Sequence, residues 1–457
     1  MTVHLKLYDK ASSLHADGRR NFVHPADVSG RFDTRRKWTF TILIALLGGL
    51  PWIDIKGHPA VFLDFEHRRF YLFGSVFNAQ DAWLVFFLLT GLGFALIVAT
   101  AVWGRVWCGY ACPQTVFLEG LFRPIERLIE GPRNERMRRN AGPLTFDKSW
   151  RKLLKHGIFF ALAFLIAHII TSYFVSLPRL YRMVLGSPSD HPEAFVWAAA
   201  LTAILYFNFF WFREQLCLVV CPYGRLQSVL TDRDTLVIGY DEKRGEPRGK
   251  KDSQGAGDCV DCNRCVVVCP TGIDIRNGLQ IDCIGCARCA DACDDVMQKL
   301  GRPKGLVRYD SQHGLAGLPR RLFRPRLGLY AGLGLVGALV ASFAVAQRAP
   351  FEANLLRLRG MPPFVVDGDR VRNAFEVHLV NKRAGAVKFE LRGVPNGPLR
   401  YTIALPTLEL AELRDQRIPV FVEFPVASRL SGEVAEIEIR VDGEVERVLE
   451  APLIAPQ

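Results

Sequence analysis

The residues of this chain whose type and spacing could do chemistry are its twelve cysteines. Eight of them fall in two runs, Cys259-x2-Cys262-x2-Cys265-x3-Cys269-Pro270 and Cys283-x2-Cys286-x2-Cys289-x3-Cys293-Asp294. A run of this form gives three thiolates to one [4Fe–4S] cluster and its fourth to another. Two clusters are therefore expected, one on Cys259, Cys262, Cys265 and Cys293, the other on Cys283, Cys286, Cys289 and Cys269. The two-residue gaps wrap a tight loop around a cube and aim successive sulfurs at different irons, and Pro270 stops the last turn. A zinc knot would separate two Cys pairs by a longer finger and bring in His, and this segment has no His.

The other four cysteines form two matched pairs, Cys108-Gly-Tyr-Ala-Cys112-Pro113 and Cys217-Leu-Val-Val-Cys221-Pro222. The i, i+4 spacing stacks both thiols of a pair on one helix face, about 5–6 Å apart at Cβ. The prolines bias Cys112 and Cys221 towards extended backbone and mark each pair as a helix-end feature. Each pair follows two apolar stretches, so the unit of two spans and Cys-x3-Cys-Pro occurs twice, an internal repeat of the parallel kind. If the two hairpins pack side by side, four thiols meet beneath the eight-cysteine segment. Soft thiolates suit Cu(I), zinc or iron–sulfur, which makes Cys108, Cys112, Cys217 and Cys221 the candidate metal-binding and catalytic residues. Inert packing is the competing reading for any single buried pair. A haem between two histidines is disfavoured, because only His168 lies deep in an apolar stretch, with His156 at an edge.

These cysteines are positioned by a chain of 457 residues in which long apolar runs alternate with basic connectors. A net charge of +12 would suggest nucleic acid in a soluble protein, but the Lys and Arg cluster beside apolar runs, where membrane orientation accounts for them. Five spans are expected, at 38–52, 82–104, 156–177, 194–212 and 327–347. The first of these is short, and nothing before residue 34 reads as a cleaved secretory leader. The basic bias puts the N-terminus, the loop 105–155 and the eight-cysteine region in the cytoplasm, and the C-terminal region outside it. Residues 61–77, with Phe62, Phe65, Phe70, Tyr71 and Phe73 around His67, Arg68 and Arg69, read as an interfacial segment on the outer leaflet. Residues 133–139 read as a basic orientation signal touching lipid headgroups, and 241–257 as a Gly- and Lys-rich linker. Gly328 and Gly332 form a small-xxx-small face, expected to pack against its own bundle.

Beyond about residue 351 the pattern changes to short alternating runs at 374–380, 386–391, 417–424, 434–441 and 444–449. Asp367-Gly368 and Asp442-Gly443 supply hairpin turns, and the spacing suggests an immunoglobulin-like sandwich. The expected fold is a multi-domain integral membrane protein. It comprises an N-terminal segment (1–37), four membrane helices (38–240), a ferredoxin-type domain with linkers (241–326), a fifth helix (327–347) and the all-β region (348–457).

The paired Cys-x3-Cys-Pro motifs, the stretch from Tyr240-Asp241 through Arg244-Gly245-Glu246-Pro247-Arg248-Gly249, and Cys269-Pro-Thr-Gly-Ile-Asp-Ile-Arg276 together resemble the FixG/RdxA/CcoG family. The resemblance implies a bacterial inner-membrane polyferredoxin that serves assembly of the cbb-type cytochrome oxidase. It further implies reduction of Cu(II) to Cu(I), with the oxidase or its copper-delivery factors and an unidentified cytoplasmic electron donor as partners. Only five Met occur and none cluster, so a Met-rich copper-carrier surface is absent. One departure from general two-cluster ferredoxins is Asp294 in place of Pro after Cys293, which bears on the local turn and not on ligation. Two other readings stay open, an electron-transfer subunit of a quinol-oxidising complex and a non-catalytic assembly scaffold or redox sensor.

Overall fold

The computed structural model describes residues 22–456 apart from 56, 67–68, 79–82, 251–252, 322, 347–349, 384, 413 and 429–432. Most of the N-terminal segment, His67 and Arg68, and the outer ends of two expected spans at Ala82 and Gln347 therefore lie outside the described residues. The chain divides into two units, 1–341 and 342–457.

In the first unit α1 (Arg31–Gly49) leads through β1 (Asp54–Ile55) and β2 (His58–Pro59) to an antiparallel sheet of β3 (Val61–Asp64), β4 (Arg69–Leu72) and β5 (Ser75–Asn78). Then come α2 (Trp83–Trp103), α3 (Val106–Tyr110), α4 (Pro113–Phe117), α5 (Arg123–Glu130), α6 (Arg133–Ala141), α7 (Phe146–Ser172), α8 (Leu177–Leu185), α9 (Pro192–Phe207) and α10 (Pro222–Leu230). The cysteine-rich part holds β6 (Val237–Tyr240), α11 (Glu242–Gly245), α12 (Arg264–Val267), α13 (Arg288–Lys299), β7 (Val307–Asp310) and α14 (Gln312–Leu315), and α15 (Pro325–Ala346) follows.

Four helical stretches are long and apolar enough to cross a membrane: Leu84–Trp103, Phe146–Ser172, Pro192–Phe212 and Pro325–Ala344. Their outer faces stay exposed, as lipid-facing helices require. The first expected span falls short of that criterion for a visible reason. Arg31, Asp33, Arg35, Arg36 and Lys37 occupy the first turns of α1, leaving residues 38–49 with a rise of about 18 Å. Its far end nevertheless reaches the level at which α7 ends, where Tyr173 Oη donates to Leu47 O at 2.7 Å. The third span starts earlier than expected and stops at Ser172. Val61–Asp64, Arg69–Leu72 and Ser75–Asn78 pair as a three-stranded sheet, with Phe62 opposite Tyr71 and Phe70 opposite Phe77.

Two basic stretches are more deeply built in than their composition suggested. The run at Arg133–Arg139 forms part of α6, and Arg136 is buried, with Nη1 on Glu126 Oε2 at 3.0 Å. Glu126 also receives Arg213 Nη2 at 2.7 Å and Lys155 Nζ at 3.4 Å. Burial pushes the Glu126 carboxyl up, but Arg213, Lys155 and Arg136 outweigh it and hold the pKa well below the usual carboxylate range. The region 241–257 is likewise no loose linker. Asp241 caps α11 and pairs with Arg308 at 2.8 Å, while Arg244 grips Asp258 at 2.8 Å. In α15, a methyl group on Gly328 or Gly332 would meet nothing within 4 Å among the described residues, and it is Gly334 that approaches α2, at Phe94. Among the described residues the Gly328–Gly332 face therefore does not pack against its own bundle.

The second unit is a two-sheet sandwich. Its strands are β8 (Phe351–Arg357), β9 (Val365–Asp367), β10 (Arg370–Asn381), β11 (Val387–Gly393), β12 (Arg400–Ile403), β13 (Thr407–Leu410), β14 (Asp415–Pro425), β15 (Val434–Val441) and β16 (Glu444–Pro452). One sheet runs β12-β14-β10-β8 with β9 on β10, the other β13-β11-β15-β16. Alternate residues point inward, so Phe375, Val377 and Leu379 meet Ile418, Val420 and Val422 in one core with Phe389 and Ile437. Asp442 and Gly443 both take positive φ, +52° and +89°, as a tight hairpin turn demands.

Glu126→Gln leaves Arg136, Arg213 and Lys155 without their shared counter-charge. The expected cost is about 3–5 kcal/mol, read as a lower thermal midpoint of the detergent-solubilised protein. Glu376→Gln, which breaks an exposed pair with Arg417, should cost about 0.5 kcal/mol or less.

Candidate redox centres

Both Cys-x2-Cys loops of the eight-cysteine segment bend the same way. Asp261 and Asn263 in the first, and Gly285 and Ala287 in the second, take left-handed backbone at matching places, with φ between +52° and +67°. Asp, Asn and Gly visit that region readily, whereas Ala does so at a cost; Ala287 is fully buried, so packing holds it there. The loops then enter α12 and α13, which carry Cys265, Cys289 and Cys293. Gly285 N donates to Cys283 Sγ at 3.4 Å. Arg276 braces the first loop from behind, reaching Asp261 at 2.5 Å and Asp274 at 2.7 Å. With no proline after Cys293, α13 runs on to Lys299, and Asp294 Oδ1 accepts the Gly305 N–H at 2.8 Å.

Folding the two motifs together creates two cavities. One is lined by Cys259, Cys262, Cys265 and Cys293 among Val296, Met297 and Leu306. The other is lined by Cys269, Cys283, Cys286 and Cys289, with Cys265 also on its wall. The structure thus brings together the quartets expected from the crossed pattern. Burial pushes the thiols of Cys265, Cys283 and Cys293 up to about 12. A thiolate in such surroundings needs a cationic partner, which iron supplies. The all-thiol donor set and apolar walls fit a [4Fe–4S] cluster in each cavity.

The second set of cysteines is built from a structural repeat. Gly104 and Arg213, each four residues before the first cysteine of a pair, have φ of +59° and +52°. Cys112 N donates to Trp107 O at 2.9 Å and Cys221 N to Leu216 O at 2.8 Å, a wide π-type turn in both copies. Cys112 and Cys221 have ψ of 126° and 112° and begin new helices. The two thiols of a pair therefore do not share one continuous helix face, because the proline after each second cysteine breaks the helix there. The copies brace each other through the residue two beyond each second cysteine. Gln114 and Asn208 exchange side-chain hydrogen bonds at 2.6 and 3.3 Å, and Tyr223 Oη lies 2.7 Å from Thr100 Oγ1.

This bracing gathers the four half-buried thiols into one neighbourhood. Burial, then the charges of Cys112, Cys108 and Cys221, push the Cys217 thiol up to about 12. Burial chiefly, with Cys112 and Cys221 adding, raises Cys108 to about 11, and its sulfur donates to Gln227 Oε1 at 3.5 Å. Among the described residues no three His, Cys, Asp or Glu converge as a shell for a single ion. His168 is not drawn in, since its Nδ1 lies 2.8 Å from Phe164 O within α7.

The two sets of cysteines meet directly. A methyl group on Gly109, between Cys108 and Cys112, would come within 2.9 Å of the carbonyl oxygens of Ile284 and Gly285, between Cys283 and Cys286. Arg105 donates to the carbonyls of Ile281, Cys283 and Gly224. Arg36 donates to Gly109 O at 2.9 Å, and Tyr309 Oη to Gly285 O. Asp291 accepts the Phe32 and Asp33 N–H groups that open α1, and Arg288 pairs with Glu119 at 2.9 Å. These arginines were missed in the sequence, where basic residues beside apolar runs read as orientation signals; Arg105, three residues before Cys108, was the available hint.

Three sequence families match the chain. Residues 212–312 match a 4Fe-4S dicluster domain, 84–132 a 4Fe-4S binding domain, and 341–453 the IG-like fold at the C-terminus of FixG. Protein RdxA of Cereibacter sphaeroides is 36% identical over 442 residues, covering 93% of this chain and 94% of its own. The chain belongs to the FixG/RdxA family. The nitrogen fixation protein FixG of Rhizobium meliloti is 36% identical over 431 residues, covering 84% of this chain and 81% of its own. Protein RdxB of C. sphaeroides is 35% identical over 401 residues, covering 84% and 83%. A solved FixG-related protein from Vibrio parahaemolyticus overlaps 24% of this chain with all of its own, at 14% identity and a TM-score of 0.20. This FixG/RdxA protein is a membrane-bound iron–sulfur electron-transfer protein with two [4Fe–4S] clusters and an immunoglobulin-like C-terminal region.

The crossed ligand sets make a paired forecast. Cys269→Ser and Cys283→Ser, from different motifs, should remove the same paramagnetic signal, while Cys259→Ser and Cys293→Ser remove the other. Each variant should hold about four irons per chain in place of about eight, measured by iron analysis and electron paramagnetic resonance on anaerobic protein.

Proposed function

We propose that the protein is a cupric reductase that supplies Cu(I) for assembly of a cbb-type cytochrome oxidase at a bacterial inner membrane. The observation that carries this reading is the backbone contact of the Cys108–Cys112 turn with the Cys283–Cys286 loop, with no side chain between them. Cys259, Cys262, Cys265 and Cys293 hold one cluster, and Cys269, Cys283, Cys286 and Cys289 the other. A [4Fe–4S] cluster supplies one-electron transfer when bound. Cys108, Cys112, Cys217 and Cys221 receive copper as the substrate. Cu(II) gains one electron, drawn originally from a cytoplasmic one-electron donor, and departs as Cu(I), the state that soft sulfur ligands favour. Gln114 and Tyr223 position the two pairs by tying each to the other copy's helix. In this reading the cysteine-rich domain faces the cytoplasm and the sandwich faces the periplasm, in keeping with the basic connectors and five crossings.

Dithionite-reduced protein should convert Cu(II) to Cu(I), followed with a Cu(I)-specific chelator. Cys108→Ser combined with Cys217→Ser should keep full iron content yet slow the reaction at least about tenfold, and Cys283→Ser should slow it as well. Undiminished reduction by either variant would refute the mechanism.

One observation favours a second reading, oxidation of a membrane quinol. A narrow, mostly apolar cleft of about 40 Å³ opens between Trp103, Leu236, Leu279 and Ile281, with Cys283 on its wall. Leu279→Trp should fill it. Rapid reduction of the clusters by menaquinol in the wild type, lost in this variant while copper reduction survives, would favour the quinol reading over the copper one.

A further inference from the structure

A further cavity is used by neither the clusters nor the copper thiols. It holds about 470 Å³, between the start of α1, the loop at Pro25–Val28, and α5. Its wall carries Arg36, Lys37, Arg123, Arg127, Arg136 and Arg288 with the carboxylates of Asp27, Asp33 and Glu119, and Glu126 and Glu214 pair with Arg136 and Arg123 from behind. The concave site keeps a positive balance, with Lys37 and Arg127 at its exposed side, and guanidinium and ammonium groups so gathered suit phosphate oxygens.

The arginines are not fully satisfied by the protein. Arg36 is 2% exposed; its Nε is on Gly109 O and its plane lies over Phe40, but Nη2 has no hydrogen-bond partner among the described residues. Arg123 and Arg136 are also more than nine-tenths buried, and the Nε of each is without a partner among the described residues, as is that of Arg288. These four nitrogens are closed off from solvent, and Arg123, Arg136 and Arg288 are held through their other nitrogens by Glu119, Glu214 and Glu126, so the cations open to an anion are the exposed Lys37 and Arg127.

We propose that this cavity binds a phosphate-bearing anion, either the headgroup of an anionic phospholipid or free phosphate. Its surroundings fit the lipid source well. Trp38, 67% exposed, begins the apolar part of α1 beside Lys37, and Leu128, 84% exposed, is on the cavity wall. Basic groups beside exposed apolar ones at the end of a membrane helix are placed for headgroup and acyl chain together. The bound phosphate would take the exposed Lys37 and Arg127 from their pairs with Asp33 and Asp27, on a wall that also carries Arg36 and Arg288. Those two arginines hold Gly109 O, Glu119 and Ala26 O, so the anion would strengthen the attachment of the cysteine-rich domain to the membrane helices.

The test uses full-length protein with its clusters, in a neutral detergent. Phosphatidylglycerol, phosphatidylcholine and inorganic phosphate are titrated separately, with thermal midpoint and lipid retention by native mass spectrometry as readouts. Phosphatidylglycerol should be retained and raise the midpoint where phosphatidylcholine does neither. Lys37→Gln combined with Arg127→Gln changes exposed side chains at the cavity, 72% and 57% accessible, and should weaken binding about tenfold. Lys299→Gln, an exposed lysine on α13, should leave binding unchanged. An equal midpoint shift with inorganic phosphate alone would identify free phosphate as the source. If neither anion outperforms phosphatidylcholine, or if the double variant binds as the wild type does, the proposal is overturned.

Discussion

Two stretches of backbone touch at Gly109 and Gly285, and the remainder of the first unit is arranged to keep them there. Any side chain at Gly109 would push the Cys283 loop away from the Cys108 turn. Close approach buries carbonyl groups that water can no longer reach, and buried carbonyls must find donors. Arg36, Arg105 and Tyr309 supply them, reaching Gly109, Ile281, Cys283 and Gly285. The same seam is fixed at its edge by Asp291, in the first turn of α13, whose carboxylate caps the start of α1.

The membrane part gains little from burying its own apolar faces, because lipid competes for them on equal terms. Its specificity comes from polar contacts at the ends of the helices. Gln114 with Asn208 and Tyr223 with Thr100 pin the two repeats together, and Glu126 draws Arg136, Arg213 and Lys155 to one point. Stacked Phe122 and Phe209, at 4.4 Å, fill the small core beneath that point.

The cysteine chemistry was legible in the sequence because ligand spacing is local. The crossed quartets follow from two short motifs, and the prolines announced the extended backbone at Cys112 and Cys221. The sandwich was legible where strands alternate cleanly, as in β10, β14 and β15. It was not where a strand is short, as in β12, or opens on a polar-interrupted run, as in β8. What spacing could not reveal was the role of the arginines. Arg36, Arg123 and Arg136 look the same in sequence whether they face headgroups or a buried glutamate, since partners such as Glu214 and Pro270 lie far along the chain. The helix-face reading of the thiol pairs failed for a related reason, as the wide turn before each Cys-Pro depends on a positive φ four residues upstream of the pair.

That positive φ is met by Gly104 in one copy and Arg213 in the other, and the difference gives the duplicated unit a polarity. Gly104 leaves room for the Leu236 carbonyl, which any side chain there would strike. Arg213 instead accepts a strained backbone and spends its side chain on Glu126. One half has become the contact and the other the anchor. The two halves of the repeat are thus not equivalent: Cys108 and Cys112 lie on the half whose backbone touches the Cys283–Cys286 loop, Cys217 and Cys221 on the half tied to Glu126.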